Sequence, residues 1–367
     1  MTYLDYQATT PIAPEALAAM LPWLETQHAN PHSPHRAGRA AKAAVEVARD
    51  QVAALLPVGG HLSFTSGATE ALNWAIKGSG GTGSGGGIVT IATEHAAVLD
   101  SVAAEARRGR AVTILPVGPD GLVDLDAARA AIGAGSGAGT GLVVAMLVNN
   151  EIGVVQPIAE LAAMAHAAGA RMLCDAVQGF GRVAIPDGCD MVAVSAHKVH
   201  GPKGVGGLWL RDGVTLAPLL HGGAQEGAGR SGTLSPALCA GFGAAAQVMA
   251  ARGAADAAHV DRLWALATRR LAGWTLNGSA TWRYPGNLNV LREGLDVARL
   301  MSDVRDVAFS AGSACSSGSG RPSHVLRAIG LSDAQARSTV RIGFGRYTTE
   351  DELAAALNVL IAAAEAQ

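Results

Sequence analysis

Cysteine is scarce in this 367-residue chain, and its four copies, Cys174, Cys189, Cys239 and Cys315, lie far apart with no CxxC pair. That spacing argues against a disulfide framework and against a zinc site built from thiolates. An excess of charge of either sign is also missing. The formal net charge is −2 and the isoelectric point is near 6.6, which gives no footing to a nucleic-acid partner or a polybasic membrane contact. No uninterrupted run of 18 apolar residues occurs, so no membrane-spanning helix is expected. The opening MTYLDYQATTP shows no basic stretch followed by an apolar one, so no secretory leader is expected either. A cytoplasmic protein with reduced thiols is the expectation.

What is present is apolar and small. Hydrophobic residues make up 49% against 16% charged, the balance of a compact globular chain rather than a disordered one. Its length suits a large α/β unit with a smaller companion. Two glycine-rich stretches, 78–87 and 133–141, read as surface connections. Short apolar runs at 88–92, 142–148, 172–176, 191–195 and 206–210 alternate with helical patterns at 16–23, 40–56, 70–77, 98–107 and 158–168. Several of these runs are apolar throughout, which predicts a mostly parallel sheet covered by helices on both faces. Ligands of such sheets collect at the carboxyl ends of the strands.

The texture changes near residue 240. A long alanine-rich helical stretch at 241–271 leads into strand-like 287–291, helical 297–304, strand-like 307–310, helical 323–329 and strand-like 339–344. A final helix begins near Thr349, where TTEDE supplies a cap and an acidic first turn. A large domain is therefore expected over 13–245 and a smaller α+β domain over 246–367, with residues 1–12 packing onto the latter.

Three places carry chemistry. FTSGATEA (64–71) puts small and hydroxyl residues at a helix start, where open backbone N–H groups suit an anion; a plain cap by Ser66 reads equally well. LCDAVQG (173–179) ends an apolar strand on Asp175, a carboxylate that needs a cation or strong donors if buried, or that simply caps the next turn. VSAHKVHGPKGVGG (194–207) sets Ser195, His197 and Lys198 directly after an apolar strand. Desolvation there can lower a lysine's pKa and free its amine for Schiff-base chemistry. An anion cradle, a strand-end Asp and a strand-end Lys match the needs of pyridoxal 5'-phosphate, and His95 adds an imidazole at the same sheet edge.

The motifs YLDYQATTP (3–11), NPHSPHRAGR (30–39), TSGATEA, TEHAAV (93–98), NNEIGVVQPI (149–158), CDAVQG, SAHKVHGPKG, RSGT (230–233), GSACSSG (312–318), PSHVLRAIGL and TVRIGFGRYTTEDE together resemble the cysteine desulfurases. The resemblance runs in order along nearly the whole chain. It is to the NifS/IscS-type branch of the fold-type I, class V aminotransferase group of pyridoxal-phosphate enzymes, rather than to the branch with an RxGHHCA motif. It implies an α/β large domain with a mostly parallel seven-stranded sheet between helices, a smaller α+β C-terminal domain, and a homodimer.

Residue by residue, Lys198 matches the lysine that holds the cofactor covalently, His95 the ring-stacking acid/base, Asp175 the partner of the pyridine nitrogen and Gln178 the donor to the phenolic oxygen. Ala68, Thr69, Ser195 and His197 match phosphate-binding positions, and Thr233 the phosphate ligand given across the dimer interface. Asn150 matches a position beside cofactor and substrate, and Arg341 the clamp on the substrate carboxylate, a task suited to a bidentate guanidinium. Cys315 matches the thiol that takes sulfur from L-cysteine as a persulfide and passes it to an acceptor such as an iron–sulfur scaffold protein. One departure stands out: QEGAGRSGT (225–233) has Gly227 where the family usually has Arg.

Competing readings are weaker. A selenocysteine-using enzyme or an aminotransferase would share the fold. A scaffold built on an inactive enzyme conflicts with the intact Lys198, Asp175, His95 and Cys315 set. A dinucleotide-binding dehydrogenase would need a GxGxxG turn that is missing. His28, His32 and His35 sit in a proline-broken stretch, so no metal site is expected there. Cys174, Cys189 and Cys239 read as small buried hydrophobes.

Overall fold

The computed structural model describes residues 1–80, 86–133, 139–311 and 322–367. The centres of the two glycine-rich stretches and Cys315 lie outside the described residues.

Seven of the described strands form one sheet, in the spatial order Gly60–Thr65, Gly206–Arg211, Met191–Ser195, Arg171–Asp175, Thr140–Met146, Gly87–Ile91, Val112–Leu115. The pairings from Met191–Ser195 outward to Val112–Leu115 are parallel. Gly206–Arg211 runs antiparallel to both of its neighbours. The reason is the short connection: only 196–205 separate it from the preceding strand, too few for the helical crossover that a parallel neighbour requires. Central strands such as Met191–Ser195 are buried at every position, as a sheet covered on both faces demands. Two strands are not among the five apolar runs read from the sequence. Val112–Leu115 lies at an edge with Ile114 half exposed, and Gly60–Thr65 begins on two exposed residues.

Helix Pro236–Arg270, capped by the Ser235 side chain, links two cores. Its first half places Phe242, Ala246 and Met249 in the core of the large sheet, and its second half places Val260, Leu263 and Ala267 in another. That second core packs under a four-stranded sheet, Thr275–Leu276, Asn287–Leu291, Thr339–Gly343, Ser310–Ala311. The single strand expected at 307–310 is two: Val307–Ala308 pairs in parallel with Thr2–Tyr3, and Ser310–Ala311 pairs with Thr339–Gly343. The C-terminal helix Glu350–Glu365 starts at Thr349 with a full capping box to Glu352. No helix among the described residues is long and apolar enough to cross a membrane.

His200 ties the N-terminal strand–turn to the large sheet. Its backbone N–H donates to the Thr10 hydroxyl at 2.7 Å and its Nδ1 donates to the Pro11 carbonyl at 2.9 Å. The ring meets Tyr347 and Tyr6 edge-on at 5.1 and 6.0 Å. Burial, reinforced by the charges of Arg182 and Arg346, pushes its pKa down to about 3. An unfolded histidine titrates near 6.5, so between these values the unfolded chain holds the extra proton and stability falls as pH is lowered. Denaturant melts between pH 6 and 4 should show this loss. A His200→Asn variant, suited to the backbone φ of 67° here, should reduce the slope by up to about 1.4 kcal/mol per pH unit. An unaltered slope would reject the assignment.

Candidate functional site

Strands Arg171–Asp175 and Met191–Ser195 lie side by side and end at the same edge, so Asp175 and the turn Ala196–Lys198 open onto common space. A cavity of about 570 Å³ forms there. Its lining brings together Ala68, Thr69, His95, Asn150 and Asp175, and with them Gln178, Ser195, His197, Lys198 and Arg341. Two residues singled out in the sequence are not placed with them. Thr233 is exposed and does not line the cavity, and Cys315 lies outside the described residues. Among the described residues no group of three or more His, Cys, Asp or Glu could hold a metal ion.

One wall is the start of helix Ala68–Gly78. Its cap residue is Gly67 rather than Ser66, and no side chain caps it. Gly67 adopts φ 155°, a glycine conformation, and strand residue Gly206 approaches so closely that a Cβ on it would sit 2.8 Å from the Gly67 Cα. Two glycines thus let the helix end press onto the sheet while its first N–H groups stay turned to the cavity. Glu70 accepts the Ser66 N–H at 2.7 Å and pairs with Arg230 at 2.8 Å. Burial pushes the Glu70 carboxyl up, but these partners win and hold it below the ordinary carboxylate range.

Asp175 is 4% exposed. One carboxylate oxygen accepts the Val177 N–H at 3.0 Å, so the turn-capping reading holds for that atom. Burial raises its pKa; the Val177 N–H and the charges of His95 and Lys198 oppose the rise. His95 caps helix Ala96–Arg107, its Nδ1 accepting the Ala97 N–H at 3.1 Å. That bond leaves the ring proton on Nε2, and burial lowers the pKa, keeping the ring neutral. His197 is neutral for the same reason: burial, with Lys198 and Lys203 nearby, takes its pKa to about 4.

The Lys198 ammonium donates to the carbonyls of Gln7 and Ala8, the latter at 2.9 Å, and the Gln178 amide donates to the same Gln7 carbonyl at 2.9 Å. Arg182 in turn donates to the Lys198 carbonyl at 2.5 Å. Arg341 is 1% exposed. It reaches Asp5 at 2.7 Å, the Asn150 carbonyl at 3.1 Å and the Ser310 hydroxyl at 3.2 Å, while its Nε has no hydrogen-bond partner among the described residues. The 3–11 motif was conspicuous in the sequence, yet nothing in it signalled that Gln7, Ala8 and Thr9 wall the site. Their contribution is mostly backbone carbonyl, which carries no side-chain signature.

Residues 2–355 match the family model described as aminotransferase class-V. The chain belongs to this family. It is 41% identical to the cysteine desulfurase IscS of Rickettsia rickettsii (strain Iowa), an alignment covering 98% of this chain and 90% of that one. Among solved structures it resembles a NifS-like protein from Rickettsia africae ESF-5, with TM-score 0.90, 26% identity and coverage of 100% and 99%. It also resembles a structure titled SspA in complex with cysteine, with TM-score 0.83, 34% identity and coverage of 95% and 100%. For a class-V chain the glycine at 227 has a backbone cause. Its φ is +70°, where a larger side chain is strained, and the neighbouring Glu226 is held by Arg49 at 2.7 and 2.8 Å. Cys174, Cys189 and Cys239 are buried free thiols, and burial takes the pKa of Cys239 up to about 12.

Proposed function

We propose that this protein is a pyridoxal-phosphate-dependent cysteine desulfurase that converts L-cysteine to L-alanine and holds the removed sulfur as a persulfide on Cys315. The observation that supports it best is one cavity shared by an amine, a buried carboxylate, an uncapped helix start and a buried guanidinium with a donor to spare. This donor set fits the cofactor. Lys198 would hold it covalently, Asp175 would face its ring nitrogen, Gln178 its phenolic oxygen, and His95 its ring face. Its phosphate would take the N–H groups of Ala68 and Thr69 with the side chains of Thr69, Ser195 and His197. Thr233, exposed on its own subunit, would serve the partner's site in a homodimer. When bound, the cofactor supplies a ring that stores the electrons released at the substrate's α-carbon.

Arg341 and Asn150 orient the substrate by its carboxylate, with the fork of Arg341 fixed by Asp5 and Ser310. Lys198 and His95, which line the same cavity, would move the α-proton. Cys315 attacks the substrate sulfur as a thiolate. The net change balances as L-cysteine plus a Cys315 thiol giving L-alanine plus a Cys315 persulfide. A thiol that must stay reduced between turnovers suits the cytoplasm, and an acceptor protein such as an iron–sulfur scaffold would then collect the sulfur. The test is to incubate the cofactor-loaded protein with L-cysteine and measure alanine and protein mass. Alanine should appear with one added sulfur mapped to Cys315 and none on the three buried cysteines. Amino-group transfer to a keto acid with no sulfur on the protein would reject the reading.

A further inference from the structure

The backbone carbonyl of His197 already has a donor for each of its two lone pairs. It accepts the Thr10 N–H at 2.9 Å and the Thr10 hydroxyl at 3.0 Å. The Thr9 hydroxyl lies farther from that oxygen, at 3.4 Å, and is closer to the Nδ1 of the His197 ring, at 3.2 Å. The ring nitrogen is therefore the acceptor left for the Thr9 proton. His197 is neutral, because burial and the nearby Lys198 and Lys203 charges take its pKa to about 4. A neutral imidazole carries one ring proton, so a hydroxyl that donates to Nδ1 puts that proton on Nε2.

Thr9 and His197 both line the cavity, together with Ala68, Thr69 and Ser195. Among the described residues the His197 Nε2 has no hydrogen-bond partner, so its proton is available. The path of the N-terminal segment does not depend on the Thr9 hydroxyl. The Thr9 carbonyl accepts the Tyr3 hydroxyl at 2.9 Å, and the Thr10 hydroxyl accepts the His200 N–H at 2.7 Å. The Ala13 N–H donates to the His200 carbonyl at 2.8 Å, closing the same seam further along.

We propose that Thr9 is a positioning residue for phosphate recognition: its hydroxyl fixes the His197 ring with the proton on Nε2, where it can be donated to a phosphate oxygen of the cofactor. The inference rests on the pyridoxal-phosphate reading and deepens it, adding a residue that acts only through another. The opposite tautomer would turn a lone pair on Nε2 toward an anion, and two acceptors cannot bond. A hydroxyl at this position thus decides whether the neutral ring attracts a phosphate or opposes it.

The experiment uses the full chain, stripped of cofactor and titrated with pyridoxal 5'-phosphate or with pyridoxal, the same aldehyde without the phosphate. Absorbance of the bound aldehyde reports each affinity. Thr9→Val keeps the shape and removes the hydroxyl. It should weaken pyridoxal 5'-phosphate by about 3- to 10-fold, the range one hydrogen bond carries, and leave pyridoxal within about twofold. Thr9→Ser, which can still donate, should recover the affinity. In a His197→Gln background Thr9→Val should have no further effect, since the group it acts through is gone. Ring-nitrogen NMR of His197 in the unaltered protein should place the proton on Nε2. A smaller loss for pyridoxal 5'-phosphate, an equal loss for both aldehydes, or a proton on Nδ1 would overturn the proposal. Failure of the unaltered protein to take up either aldehyde would instead overturn the cofactor reading itself.

Discussion

Replacing Lys198 by Ala is expected to lower desulfuration by on the order of 10⁴-fold, because in the proposed function one amine would both hold the cofactor and move a proton. Its surroundings make the experiment clean. The Lys198 carbonyl is held by Arg182 and the following turn by its own backbone bonds, so the main chain keeps its path without the side chain. The Gln7 carbonyl retains the Gln178 amide as a donor. Lys198→Arg separates charge from nucleophilicity. A guanidinium can still donate to the Gln7 and Ala8 carbonyls but forms no imine, so this variant should be as inactive as the alanine one. Borohydride should fix the cofactor to the unaltered protein alone, and peptide mapping should find it on Lys198. Label on another lysine, or activity in the arginine variant, would disprove the assignment.

Asp175→Asn is the second large effect. The side chain keeps its shape and its contact with the Val177 N–H through the amide oxygen, but loses its charge. If Asp175 pairs with the cofactor as proposed, taking one member from that buried ion pair costs about 3–5 kcal/mol, which predicts a fall in turnover of roughly 10²- to 10⁴-fold with cofactor still bound. Without cofactor the sign reverses. Burial already holds the Asp175 carboxyl above its ordinary pKa, so at neutral pH its charge is a cost to the empty protein. The cofactor-free Asn variant should therefore melt at a higher temperature than the cofactor-free parent. Loss of turnover together with loss of apo stability would instead make Asp175 a structural residue.

Much of the site was legible because the relevant signals are local. Asp175 closes one largely apolar strand and Lys198 follows shortly after another, and parallel strands of this kind terminate at a common sheet edge, so both residues could be placed there before any coordinates. Gly67 was less legible. The FTSGATEA stretch allowed a cap by Ser66, and the choice of Gly67 follows from the close approach of Gly206, a residue about 140 positions away. Glu94 stood beside His95 without an evident task. Its role as a buried brace depends on strand Thr140–Met146 presenting the Met146 N–H to it.

By itself, the sequence determined the alternation of strands and helices, the residue types able to do the chemistry, and the family. Apolar periodicity, caps and motifs act over a few residues and need no knowledge of the chain's path. Only the tertiary structure decided which distant backbone atoms close the cavity. It turned 307–311 into two strands with different partners, brought the carbonyls of Gln7 and Ala8 onto Lys198, and set Ser323 and His324 against Glu151 and Glu94. Such contacts join segments hundreds of residues apart through hydrogen-bonding groups that every residue or many residues carry, and the packing of two cores along one helix selects among them.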